Sequence, residues 1–242
     1  MSKYLVYSLF LFVNILPAFS QDSILPSYLI RFGYGLQWPI GNLSNRFGQH
    51  ANLFISTTKK INAFEFGPSF QYFFGAVVKE DVLNIFRSKE GDLIGSDHQI
   101  ADVELKMRGM ELGMYCARDY TLNKNSSLVF GLSPIWLVHW IRFQNISNNF
   151  EPIRGDKAYA YDRLSSGFGV KESIAFRYHS DSRLINFEIA LQFLQAGVSL
   201  QRSSQADHPG INKSKHTDAL AGIQGRWIIP IYVKKDPEKI YY

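Results

Sequence analysis

The chain has 242 residues, a length that fits one domain, and 46% of them are apolar. Its mean hydropathy is −0.11, and beyond the amino-terminal region no stretch is apolar enough for a spanning helix, which excludes a helical membrane bundle. The formal charge is +5, but no basic run with interleaved aromatics accompanies it, and the single cysteine, Cys116, excludes a disulfide framework.

The chain opens MSKYLVYSLFLFVNILPAFSQDS. Lys3 gives a positive start, Tyr4 to Leu16 an apolar run, and Ala18-Phe19-Ser20 a small-x-small cleavage site before Gln21. The pattern predicts a secretory signal peptide over 1–20 and a single domain over 21–242. The apolar run falls short of the roughly 20 residues that a membrane anchor requires. Export also removes nucleic acid from the expected partners.

Eight segments then alternate with a period of two, the period of a β-strand. The first, Tyr28 to Trp38, sets Tyr28, Ile30, Phe32, Tyr34, Leu36 and Trp38 against Arg31, Gly33, Gly35 and Gln37. The second, His50 to Thr57, sets Ala51, Leu53 and Ile55 against Asn52, Phe54 and Ser56. The third, AFEFGPSFQYFF, carries Phe64, Phe66, Phe70, Tyr72 and Phe74 on one face and Glu65, Ser69 and Gln71 on the other. The fourth runs from about Glu104 to Tyr120, the fifth from Leu128 to Phe143, and the sixth from Gly167 to His179. The seventh runs from Leu184 to Leu200 and the eighth from Leu220 to Val233.

The connections alternate too. Thr58-Lys59-Lys60, the stretch near Asn123 to Ser126, and Ser180 to Arg183 are short and polar. Those at about Pro39 to Gln49, Gly75 to Val103, Gln144 to Ser166 and Gln201 to Asp218 are long. Short turns at one end, long loops at the other and an even strand number predict an all-β fold: an eight-stranded antiparallel transmembrane barrel with short periplasmic turns and long extracellular loops. Phe64, Phe66 and Phe70 are then expected to meet lipid. Trp38, Trp140 and Tyr72 are expected at the outer boundary, and Tyr28, Tyr178 and Trp227 nearer the inner one. In a soluble barrel or sandwich the aromatic face would turn inward, where a small barrel has too little room for so many rings. Glu111 and Glu172 resist the scheme, because each shares the parity of apolar neighbours; a bulge at Gly109 or Gly113 would switch the face of Glu111.

The expected lumen charges are Arg31, Glu65, Lys106, Arg108, Lys171, Arg177, Glu188 and Arg226, joined by Gln71 and Gln224. Eight strands leave just enough interior for side chains, so a structural network of ion pairs is expected, with Glu65 and Glu188 each paired to a lumen base. An anion-attracting pore or ligand site is the functional alternative. His139 lies on the inward face with Ser133 below it, and Ser165 and Ser166 flank the loop at that end, but spacing alone assembles no nucleophile, base and orienter. His98, His208 and His216 fit no metal-ligand spacing, and no phosphate loop is present, so neither a metal nor a cofactor is expected. In the longest loop, VKEDVLNIFRS places Val78, Val82, Ile85 and Phe86 at helical spacing, and GDLIGSDHQIADVE has the pattern of a hairpin. Phe150, Tyr159 and Tyr161 lie among polar residues in the next long loop, as candidates either for surface recognition or for loop packing.

The signal ending FSQ, the eight strands, GYGLQWPIGNLSNRFG (Gly33 to Gly48), YDRLSSGFG (Tyr161 to Gly169) and the aromatic end Ile240-Tyr241-Tyr242 resemble the small outer-membrane β-barrel proteins of Bacteroidota, similar in architecture to the OmpX and OmpA-barrel type. The resemblance implies an integral outer-membrane protein without catalytic residues, acting structurally or through its surface loops. Outer-membrane lipid is the implied partner, with accessory service in an envelope secretion or assembly complex, or outer-leaflet lipid modification, as alternatives. KKDPEKIYY after Val233 departs from barrels that end with their last strand, which puts Tyr242 in question as an assembly signal.

Overall fold

In the computed structural model the described residues are 27–180, 186–202 and 215–232. The signal segment, Tyr242 and most of the last long connection, His208 included, lie outside them. The strands are β1 (Ser27–Ile40), β2 (His50–Ile61), β3 (Phe64–Gly75), β4 (Val103–Asn123), β5 (Ser126–Asn145), β6 (Ser165–His179), β7 (Asn186–Leu200) and β8 (His216–Tyr232). Each pairs antiparallel with its chain neighbours, and β1 pairs with β8, so the sheet closes into a barrel with no free edge around its circumference.

The turn between β2 and β3 is shorter than the sequence suggests. Thr58, Lys59 and Lys60 belong to β2, and only Asn62 and Ala63 make the turn. Asn62 takes φ 53°, a left-handed conformation that a two-residue hairpin demands and asparagine tolerates.

Alternation sorts every strand into an inner and an outer face. Outside, Phe32, Leu53, Phe66, Leu112, Ile174 and Ile223 are all more than two-fifths exposed. Inside, Arg31, Gln71, Glu111, Arg177, Glu188 and Gln224 are fully buried. A water-soluble domain inverts that arrangement; an exposed apolar girdle around a buried polar interior is what a lipid solvent selects. Aromatic rings gather at both rims. Trp38, Trp140 and the stacked Tyr72–Phe74 pair lie toward the long loops. The Tyr120–Phe130 and Tyr178–Phe187 pairs lie toward the short turns. The barrel thus spans a membrane through its strands; no described helix is long and apolar enough to do so.

Parity corrects two sequence-level expectations. The β3–β4 and β4–β5 registers run unbroken from Met107 to Arg118 and from Val103 to Thr121, so there is no bulge at Gly109 or Gly113. The odd residues Met107, Glu111, Tyr115 and Asp119 point inward along the whole of β4. Lys106 and Arg108 therefore project from the outer wall and are not lumen residues. Glu172 does face outward, half-buried between Leu132 of β5 and Phe193 of β7.

β4 and β5 have 21 and 20 residues against 12 each for β2 and β3, so their hairpin rises past the rim on one side. The long loops fold over the mouth against it. The helix α1 (Leu43–Arg46) and three 3-10 turns are the helical structure described there. The segment read as a helix over VKEDVLNIFRS makes only the turn Asn84–Phe86, because Leu83 and Val82 are buried side by side while Ile85 is 55% exposed. The hairpin expected beyond it is reduced to the isolated bridges Arg87–Leu93 and Ile94–Ile100.

Candidate functional site

The lumen is filled from the short-turn end upward by ion pairs. Arg31 on β1 reaches Glu65 on β3 and also Glu188 on β7, at 3.3 Å. Arg177 on β6 donates to Glu65 Oε1 at 2.5 Å and to Asp119 Oδ2 at 2.8 Å, and lies 2.6 Å from Glu188. Arg226 on β8 contacts Glu188 Oε2 at 3.4 Å, and Lys60 on β2 contacts Asp119 at 2.5 Å. Every strand except β5 contributes to this one network. The guanidinium groups of Arg31 and Arg226 also pack over the Tyr115 ring, 5.2 and 5.8 Å from its centre. Higher up, Lys171 pairs with Glu111 and its ammonium lies 5.4 Å from the Phe54 ring centre. Arg226 donates to Gln224, which donates in turn to Asn52, each at 2.6 Å.

Of the expected lumen charges, the structure brings Arg31, Glu65, Arg177, Glu188 and Arg226 together and sets Lys171 apart with Glu111. Sequence reasoning missed Asp119, Lys60 and Tyr115. Asp119 and Tyr115 share the odd parity of Glu111, the residue that broke the pattern and so carried the signal. Lys60 was hidden by its assignment to a turn.

Above the charges, His139 Nε2 lies 2.7 Å from Asp218 Oδ2, and the His139 ring meets Phe47 edge to face at 5.7 Å. His139 Nδ1 has no partner, and Ser133 makes no hydrogen bond to it. Ser165 Oγ is committed to the Arg163 carbonyl at 3.0 Å. His139 is therefore joined to Asp218 but not to Ser133 or Ser165. Among the described residues no group of three or more His, Cys, Asp or Glu side chains is placed to hold a metal ion.

The mouth is sealed by an apolar cap. Phe47, Phe73, Leu83, Met107, Phe150 and Leu194 are buried in one cluster. Phe86 ties the loops together through edge-on contacts to Phe150 and Tyr161, both at 5.6 Å between ring centres. Phe150 and Tyr161 are thus packed inside the cap. Tyr159 is 53% exposed, with the Arg202 guanidinium 4.5 Å from its ring centre. Glu80 bridges Arg46 at 2.9 Å and Arg163 at 2.7 Å, clamping the first three loops. Arg202 pairs with Asp162 at 2.6 Å, and that hydrogen bond raises the guanidinium above its ordinary pKa. Hydrogen bonds from Arg154 and Lys157 hold the exposed Glu151 carboxyl below its ordinary value.

No protein-family model and no curated protein matches the chain. Among solved structures, it is similar to Neisserial surface protein A, with 9% identity, a TM-score of 0.46, and 85% of this chain and 97% of that one covered. It is also similar to Ail, the attachment invasion locus protein of Yersinia pestis, crystallised with the heparin analogue sucrose octasulfate. There the identity is 10%, the TM-score 0.43, and the coverage 86% of this chain and 100% of that one.

Proposed function

We propose that the protein is an integral barrel of the bacterial outer membrane, exported through a cleaved signal peptide, that works at the cell surface through its long loops without catalysing a reaction. Its sequence motifs resemble those of the small barrels of Bacteroidota, which supports this reading. The observation that carries this reading is the closed interior: ion pairs fill the lower lumen, and the cap built around Phe47, Phe73 and Leu83 covers its mouth. A sealed barrel leaves its loop surface as the part available to the outside. Reconstituted into planar bilayers, the folded protein is expected to give no steady conductance steps; stable channels overturn the reading. An epitope inserted between Lys89 and Glu90, both exposed, is expected to bind antibody on intact cells, whereas one at Lys124 is not. The reverse pattern also overturns it.

A second reading, an accessory subunit of an envelope complex, is favoured by Glu172. A carboxylate among Val170, Ile174, Leu132 and Phe193 on the lipid-facing wall is costly unless a partner covers it.

A further inference from the structure

The outer wall of the β4–β5 hairpin carries a feature that neither a sealed lumen nor a surface cap uses. Lys106 of β4 stands directly opposite Arg142 of β5, and Arg108 stands opposite Trp140. All four side chains project outward. Like charges facing each other across a ladder repel, so the pairing costs stability unless something of opposite sign joins it. The protein supplies little. Lys106 reaches Glu104 at 2.8 Å and Gln144 at 2.5 Å. Arg108 donates only to the backbone carbonyls of Met107, at 2.6 Å, and Gly75, at 3.5 Å. Arg142 is exposed and has no hydrogen-bond or ion-pair partner among the described residues.

Immediately toward the membrane centre from this cluster is an apolar groove of about 510 Å³, lined by Met110, Trp136, Val138 and Trp140 and overhung by Tyr159 and Leu164. Val138 points outward yet is only 6% exposed, so the groove has a roof as well as a wall. Its polar rim is Ser166, Gln201 and the Arg202–Asp162 pair, whose charges cancel, which leaves the excess positive charge on the hairpin side. Cationic heads one to two residues above an apolar channel, at the level of a boundary tryptophan, match an amphiphile with a negative head and hydrocarbon chains.

We propose that this wall binds an anionic phosphate-bearing lipid of the leaflet on the long-loop side. The phosphate sits on Arg108 and Arg142, beside the Lys106–Glu104 pair, and one acyl chain lies in the groove against Trp140 and Val138. The proposal rests on the membrane-spanning reading of the barrel and not on any role of its loops.

The test is native mass spectrometry of the folded barrel in an uncharged detergent, with phosphatidylglycerol and, separately, phosphatidylcholine of the same chains. The wild-type protein retains phosphatidylglycerol in preference. Arg142→Gln weakens retention about fivefold and the Arg108→Gln/Arg142→Gln pair about thirtyfold, a basic residue near an anionic lipid surface being worth roughly that factor. Arg118→Gln, a basic residue near the opposite rim, changes nothing. Heat-dependent gel migration, read on each variant, reports folding separately from lipid preference, and Arg142→Gln, which removes no hydrogen bond or ion pair among the described residues, serves if the double variant does not fold. Equal retention of the two lipids overturns the proposal, as does undiminished retention by the variants. Complete displacement of the lipid by soluble glycerol phosphate overturns it as well, since that outcome assigns the cluster to a free anion and leaves the groove without a role.

Discussion

Glu65 has no solvent exposure and accepts from two guanidinium groups, Arg31 and Arg177, with the Lys60 ammonium 4.0 Å away. Two buried cations converging on one carboxylate make its charge hard to remove, because each is left facing a neutral oxygen in a region closed to water. Glu65→Gln is expected to destabilise the barrel by about 3–5 kcal/mol, the range for breaking a buried pair. The measurement is the denaturant midpoint at which the fast-migrating folded band disappears. Glu80→Gln, in the partly exposed clamp between Arg46 and Arg163, is expected to cost about 1 kcal/mol or less on the same scale. Reading Glu65 and Glu188 as paired lumen residues needed only strand parity and the rule that buried charges seek partners. Finding which bases they meet did not follow, because partners come from strands up to 157 positions away, as with Arg31 and Glu188. Alternation fixes a face, not a height.

At the scale of an element, the β4–β5 hairpin explains why Lys106 and Arg108 were misplaced. Within the lipid, apolar means outward and charged means inward. Above the rim the solvent on the outside is water, and the inside is an apolar cap, so the meaning of the alternation reverses. Met107 belongs to the cap cluster and Leu105 packs against it, and Lys106 and Arg108, which alternate with them, turn out. A strand of 21 residues crosses both regimes, and its sequence does not mark where one ends. The same boundary hid the state of Phe150 and Tyr161, which look like exposed loop aromatics and pack on Phe86. Phe86→Ala is expected to loosen the cap without opening the barrel. Limited proteolysis should then cut within 76–102 several times faster, while the heat-dependent gel shift is unchanged. Equal cleavage of wild type and variant argues that the clamp at Glu80 alone holds the loops.

For the whole molecule, the exposed apolar belt makes Glu172 the telling exception. Charged residues on a lipid face near mid-depth destabilise a barrel, carboxylates less than Arg or Lys. Glu172→Leu is expected to stabilise the isolated barrel in lipid by about 1–2 kcal/mol. If the residue serves a membrane partner, the same substitution lowers recovery of that partner in mild detergent. Greater stability with unchanged recovery argues against the accessory-subunit reading.

The closure between β1 and β8 joins residues at opposite ends of the chain, Ser27 with Tyr232 and Arg31 with Ile228. Such a contact has the largest sequence separation the fold allows, and contacts of that kind form slowly. A slip of one residue at this seam would invert one strand against the other, turning Arg31 or Arg226 toward hydrocarbon and depriving Glu188 of that partner. The interior ion network therefore acts during assembly as a register key. The native alignment is the one in which β1 and β8 deliver their arginines to the same carboxylate on β7, so the charges that fill the finished barrel also favour its closing register.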